Sequence, residues 1–335
     1  MYSGSLLLSS FATQVWQLIV LQGVLAGLSG AVLYGGTGLG GFVFPFLLGK
    51  LLDSYGFAWT IRIWSIICAV VFFTAVFFIQ PRIPPTKPAK GQSRPKFFLV
   101  DLKAFNHPVN WTVSVTTLVA SLAYFPCALY LPIYTSSSLM HSDLLTPNTD
   151  PEVRRADMIS SSDSFTPNLV VAIFNLVSFL ASIAIGYASD KSLAATATFL
   201  GVTGGAVALG AWGTGTTLAK IFVFAAIFGA TTPISSYWGA ASREIAGRNS
   251  ASSSSLLCFW GMIRGIASIL APYLSVGLYN EKEAHLQSAS WGRYGFRDMI
   301  IFVGVMSLLS SFGGIVLGAL KMRSNAANRK GMGPA

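Results

Sequence analysis

The sequence predicts an all-α, polytopic helical membrane protein, and three observations carry that prediction. Only 10% of its residues are charged and 53% are hydrophobic, whereas a soluble domain carries about 25% charged residues. No Asp, Glu, Lys, Arg or His occurs between Met1 and Gly49. The apolar stretches are continuous rather than alternating, which favours helices over barrel strands.

Taken in order, the stretches give nine candidate helices, at about 14–34, 36–52, 59–80, 110–134, 167–188, 193–213, 217–240, 255–279 and 297–320. Each is close to the roughly 20 residues that one crossing needs. The start, MYSGSLLLSSFATQ, lacks the basic n-region of a signal peptide. The first two helices run together without a polar turn between Tyr34 and Gly35. The segment 80–96, QPRIPPTKPAKGQSRPK, is an extended, solvated linker rich in proline and lysine. It divides three apolar spans from six.

Loop charge gives an orientation. Placing the loop 81–109 and the C-terminal tail on the cytosolic side puts 13 basic residues there and eight on the other side. Basic residues collect in cytosolic loops. The formal charge of +10 and the pI of about 9.7 are therefore read as topology and not as nucleic-acid binding. Cys68, Cys127 and Cys258 all fall in apolar stretches and are expected to pack as small hydrophobes.

Several motifs invite a chemical reading. Gly36, Gly38 and Gly41 satisfy G-x-G-x-x-G, but apolar membrane-length segments flank them where a dinucleotide site needs a strand and a helix. Gly23 with Gly27, and Gly36 with Gly40, instead give the small-xxx-small spacing of close helix packing. Asn110-Trp111-Thr112 is a sequon at the start of a span and is expected to be unused. In GYASDK, Gly186 permits close backbone approach, Asp190 can cap the next helix or meet its positive N-terminal end, and Lys191 remains at the basic face; the stretch reads equally as an ordinary polar turn.

Arg264 stands out because it lies deep within the span 255–279, with no acid on its own helix. A cation at that depth usually faces a cavity or a counter-group. Two readings stay open: Arg264 meets an anionic substrate or a polar group of another helix, or its long stem carries the charge to the interface. Tyr124, Tyr130, Asn175, Tyr237 and Trp238 are further polar or aromatic groups in spans. Pro126, Pro132, Pro233 and Pro272 can kink their helices. No nucleophile–base set is present, and His107, His141 and His285 share no ligand spacing. Neither an enzyme, a resident cofactor nor a metal is expected.

These residues carry a resemblance. The spans over 110–320 resemble the C-terminal six-helix half of a major facilitator superfamily transporter, and GYASDK resembles the signature between the second and third helices of such a half. GTGLGGFVFPFLLGKLLDSYGFAWTIRIW, residues 36–64, followed by PRIPP, is similar to the fifth and sixth helices of fungal monocarboxylate-transporter-like permeases. WQLIVLQGVLAGLSGAVLY, residues 16–34, resembles their fourth helix.

The resemblance implies a partial major facilitator fold, with 1–80 a remnant of the N-terminal bundle, 81–109 a basic cytosolic linker, 110–320 the C-terminal bundle and 321–335 a cytosolic tail. It also implies a loop lost near residues 34 and 35 and early helices lost before them. The implied function is alternating-access transport of a small organic anion such as a monocarboxylate, with proton coupling as an option. Partners would be the lipid bilayer and the solute, with no nucleic acid; plasma and vacuolar membranes are not distinguished. The implied lining residues are Gln22, Tyr124, Tyr130, Tyr237 and Trp238, with Arg264 beside them. Because half the gating machinery would be missing, the alternative is a non-transporting fragment that binds or regulates a full-length relative.

Overall fold

The computed structural model of the chain describes residues 25–78, 102–144, 165–215, 217–247, 249–280 and 291–329, all helix or short connection, with no strand among them. Seven helices there are long and apolar enough to cross a membrane. The protein is an integral, multi-pass membrane protein. Two units divide the chain, Met1–Phe98 and Leu99–Ala335.

In the first unit, α1 runs Leu25–Phe78 and is interrupted at Gly56, whose φ of 70° and ψ of 172° lie outside the helical range. That backbone region is essentially reserved for glycine. The chain reverses there. Phe44 and Trp64 pack edge to face with ring centroids 4.7 Å apart, whereas 20 residues of straight helix would separate them by about 30 Å. α1 is thus a helical hairpin, with its turn in the gap expected between 52 and 59.

The expected separation of 14–34 from 36–52 is not found. The helix continues from Leu25 through Tyr34, Gly35 and Gly36 to the turn. In hydrocarbon every backbone group must find a partner, and a helix is the local way to supply one. Two glycines lower helix propensity by about 1 kcal/mol each, but nothing polar draws the chain out. Residues before Leu25 lie outside the described residues.

Among the described residues the second unit holds six spans. α2 is a short turn, Leu102–Phe105, leading into α3, Pro108–Leu144. α4, Phe165–Lys191, and α5, Leu193–Val207, follow with one residue between them. α5 extends into a π-helical turn, Ala208–Trp212. The next span is broken into α6, Leu218–Thr231, a 3₁₀ turn, Ile234–Tyr237, and α7, Trp238–Ala246. α8, Ser250–Leu278, and α9, Arg297–Arg329, complete it.

α5 and α9 form the tightest seam. A Cβ added at Gly201 would sit 2.5 Å from the Ser311 backbone nitrogen, and one at Gly205 would sit 2.9 Å from the Gly304 carbonyl. Lipid tails give helices no hydrophobic reason to associate, so small residues that let backbones approach supply the packing energy. By contrast, the nearest atoms to an added Cβ at Gly40 belong to Phe44 of its own helix. Gly27 and Gly36 lie in α1, and Gly23 lies outside the described residues.

An aromatic cluster closes one end. Tyr134 on α3 donates to the Gly215 carbonyl at 2.8 Å, and Trp291 donates to the Leu209 carbonyl at 3.0 Å. That carbonyl lies in the π turn, where the Gly213 amide reaches five residues back to Ala208. Along α3, hydroxyls turn inward on their own helix: Thr112, Ser114, Thr116 and Thr135 each donate to the carbonyl four residues earlier, at 2.7–3.0 Å.

Candidate functional site

Arg264 is midway along α8, 14 residues from either end, or about 21 Å of helix. That is farther than its stem can reach. The guanidinium instead turns into the unit and lies over two rings of α3, 5.1 Å from the centre of Tyr124 and 5.5 Å from that of Phe125. Its Nη1 is buried without a hydrogen-bond partner. Cation–π contact of this kind contributes about 0.5–2 kcal/mol. It satisfies the charge only in part, because guanidinium N–H groups want oxygen acceptors. No carboxylate meets Arg264 among the described residues.

The surrounding groups come from three spans. Thr117, Ser121 and Tyr124 follow one another at helical spacing on α3, so they share one face. Tyr237 and Trp238 arrive from the break between α6 and α7, both buried. Trp238 Nε1 donates to Thr117 Oγ1 at 3.2 Å. The Tyr237 hydroxyl lies beside the Thr117 side chain and close to Arg264 without reaching hydrogen-bond geometry, and the buried Ser121 hydroxyl makes no hydrogen bond. The break follows from Pro233, which has no N–H to continue the helix. Arg264, Tyr124, Tyr237 and Trp238 therefore converge within one unit as an electropositive, aromatic-walled patch with unused donors. Tyr130 lies elsewhere, in the aromatic end, with its ring 6.0 Å from Tyr279 and from Phe296. Gln22 lies outside the described residues. Asn175 Nδ2 donates to the Val171 carbonyl at 2.9 Å on its own helix.

At the other end of α4, Asp190 pairs with Arg243 of α7. Both side chains are more than half exposed, and such pairs contribute about 0–1 kcal/mol. They border an open groove of about 290 Å³ with Lys191, Glu244 and Lys321. The expected capping role of Asp190 is not seen: Ser192 caps α5, its Oγ accepting from the Ala195 amide at 3.3 Å. Lys191 lies over the Tyr187 ring at 4.5 Å.

The sequence reading missed Phe125, Thr117, Ser121 and Arg243. The first three had a usable signal, the helical spacing of hydroxyls and rings opposite a buried cation. Arg243 had none, because its pairing is made across 53 residues. Asn110 is fully buried, donating to the Phe105 carbonyl at 2.9 Å and accepting from Trp260 Nε1 at 2.9 Å. Its side chain is held on both atoms in the folded protein. Cys127 is buried as expected, but Cys68 and Cys258 are exposed on their helices. No cluster of metal-ligating side chains occurs among the described residues.

Comparison with known proteins points one way. The Aspyridones efflux protein apdF of Emericella nidulans is 25% identical over 360 residues, covering 98% of this chain and 63% of its own. An MFS-type transporter of an Ophiocordyceps species is 23% identical, over 68% of this chain and 50% of its own. The MFS transporter asaE of Aspergillus flavus is 22% identical, over 67% of this chain and 50% of its own. The chain thus spans about half to two thirds of the length of the curated relatives it matches. No protein-family model matches the chain and no solved structure gives a significant match. The relatives are named as transporters or efflux proteins, and the chain resembles fungal transporters of the major facilitator superfamily.

Proposed function

We propose that this chain is the larger part of a major facilitator transporter that moves a small organic anion, a monocarboxylate or similar, across a membrane by alternating access. The observation that carries the reading is Arg264, a mid-span cation with a buried, unpartnered Nη1. Cations at this depth face a counter-group or a solute path. An incoming carboxylate supplies the oxygen acceptors that the Tyr124 and Phe125 rings lack. Arg264 then binds it in a site of low dielectric, where the charge interaction is strong. The break at Pro233 gives the opposite wall a place to bend, as discontinuous helices do near transporter sites. The relatives named as efflux proteins and transporters support transport. Proton coupling belongs to the same proposal.

Transport competence is assigned to a longer chain. Relatives extend well beyond this one, and the alignment to the Emericella protein, at 360 residues, exceeds the 335 residues present. That supports a segment of the relative that has no counterpart within this chain. The shortfall also favours a second reading, in which this chain binds or regulates a full-length relative. Uptake of labelled monocarboxylates in carrier-deficient cells tests the first reading, with the chain compared against a version restoring both pieces. In the restored protein Arg264→Ala should lower transport efficiency by at least about tenfold at equal surface expression, and Arg264→Lys should recover only part of it, lacking the planar fork. Unchanged uptake by the alanine variant would remove Arg264 from the site. Saturable uptake by the short chain alone would overturn its assignment to a longer protein. Co-purification with a full-length relative would favour the second reading.

A further inference from the structure

Next to the Arg264 patch, and sharing Tyr124 and Tyr237 with it, α3, α5, α6, the 3₁₀ turn and α9 leave a cavity of about 30 Å³. Its lining is unusual for the middle of a membrane bundle. Thr116, Thr231, Thr232, Ser307, Ser310 and Tyr237 all contribute. Most of these hydroxyls have already committed their protons. Thr116 donates to the Thr112 carbonyl at 2.7 Å, Thr231 to Phe228 at 2.7 Å, Thr232 to Gly229 at 2.8 Å and Ser310 to Ser307 at 2.7 Å. Having donated, these oxygens keep only lone pairs to offer, which are acceptors, and Thr232 Oγ1 already meets Ser178 Oγ at 3.0 Å. Tyr237 differs from these four: it is only 1% exposed, and its buried hydroxyl completes no hydrogen bond.

A wall of acceptors with a buried, unused tyrosine hydroxyl calls for an occupant that both donates and accepts. The volume is enough for one or two molecules of water. A metal cation would also use hydroxyl oxygens, but no carboxylate lines the cavity. Arg264, which interacts electrostatically with the lining residues Tyr124 and Tyr237, sets a positive charge nearby. A dry cavity is stable when its walls are apolar, and these are not.

We propose that this cavity is a buried water site, in which one or two water molecules bridge Tyr237 to the threonine and serine hydroxyls at the break between α6 and α7. The site satisfies polar groups stranded where Pro233 interrupts the helix. It also provides exchangeable partners at that break, so that the 3₁₀ turn can change its hydrogen bonds without leaving any unmade.

Hydroxyl-radical labelling tests this, because radicals formed from bound water modify the side chain beside it. The protein in lipid nanodiscs would be irradiated and modification read residue by residue. Tyr134 is the internal control: it is also 1% exposed, and its hydroxyl is taken up by the Gly215 carbonyl at 2.8 Å. Tyr237 should be modified about tenfold faster than Tyr134, as bound water beside it requires. Gly204→Ala puts a methyl group into the cavity wall 3.1 Å from Thr231 Oγ1. It should bring Tyr237 down toward the Tyr134 rate. Should that variant not fold, Thr231→Val, which keeps the shape and removes an acceptor, should lower the rate in the same direction. Equal rates at the two tyrosines in the parent protein would overturn the proposal. So would Tyr237 labelling undiminished in a folded Gly204→Ala protein, since the water would then lie elsewhere.

Discussion

Adding one methyl group at Gly201 tests the claim that the α5–α9 seam is held by backbone proximity. The new Cβ would lie 2.5 Å from the Ser311 nitrogen and 2.8 Å from the Ser311 Cα. Both are backbone atoms, so no rotamer change relieves the clash. An ordinary contact needs nearly 1 Å more, and the helices must part by about that amount. A gap of 0.5–1 Å forfeits a quarter to a half of each dispersion contact of about 0.1–0.2 kcal/mol. Over some tens of atom pairs along the seam that is about 1–3 kcal/mol, in line with overpacking elsewhere. Alanine's better helix propensity returns at most about 1 kcal/mol. The net expectation is a loss of up to about 2 kcal/mol against the parent, and of about 1–3 kcal/mol against a glycine-to-alanine change that meets nothing. Gly261→Ala on α8 is the control, because nothing lies within 4 Å of its added Cβ. Unfolding of both variants in mild detergent, followed by tryptophan fluorescence, gives the comparison. The reasoning fails if Gly201→Ala is as stable as Gly261→Ala.

The remaining expectations concern topology and two polar pairings. Cysteines placed at Gln92 and Asn328 should both resist an impermeant reagent in sealed cells, since the 13-to-eight distribution of basic residues places both on the cytosolic side; labelling of both would reverse the topology. Asn110 should carry no glycan, and Asn110→Ala should cost about 1–3 kcal/mol by leaving Trp260 Nε1 buried and unpaired; a glycosidase-sensitive shift, or an unchanged melting curve, would contradict this. Asp190→Ala and Arg243→Ala should each change stability by less than about 1 kcal/mol, and the double variant should show coupling no larger than that; strong coupling in a double-mutant cycle would mean that the pair is less exposed to water than its side chains are here.

What the sequence disclosed depended on the range of each signal. The six spans of the second unit were legible because an uncharged stretch of membrane length has few alternatives. Arg264 was legible for the converse reason, a charge where hydrocarbon makes charge costly. The hairpin turn was half legible. Asp53, Ser54 and Gly56 lie in the gap expected between 52 and 59, whereas the break expected between Tyr34 and Gly35 is one that the helix does not make. Glycine permits a turn without requiring one, and only Gly56 has polar neighbours to favour leaving the helix. The contacts of Trp238 with Thr117 and of Asp190 with Arg243 were invisible, because each joins residues far apart in sequence. Ser192 rather than Asp190 caps α5 because the chain needs only one residue between the helices. Asp190 falls in the last turn of α4, too early for that role.

The hydroxyls that α3 turns back onto its own carbonyls bear on how the protein reaches the bilayer. Hydropathy counts each threonine and serine as polar, and the helix carries them near both ends. Yet Thr112, Ser114, Thr116 and Thr135 all donate to the same helix, and those bonds need no neighbour. A nascent α3 leaving the translocation machinery is therefore already internally satisfied at these positions, and it can enter lipid before α8 or α9 has been synthesised. Trp238, Trp260 and Arg264 have no such local remedy. Each looks to α3 for its partner, so the early helix is in place to receive the polar groups of those that follow.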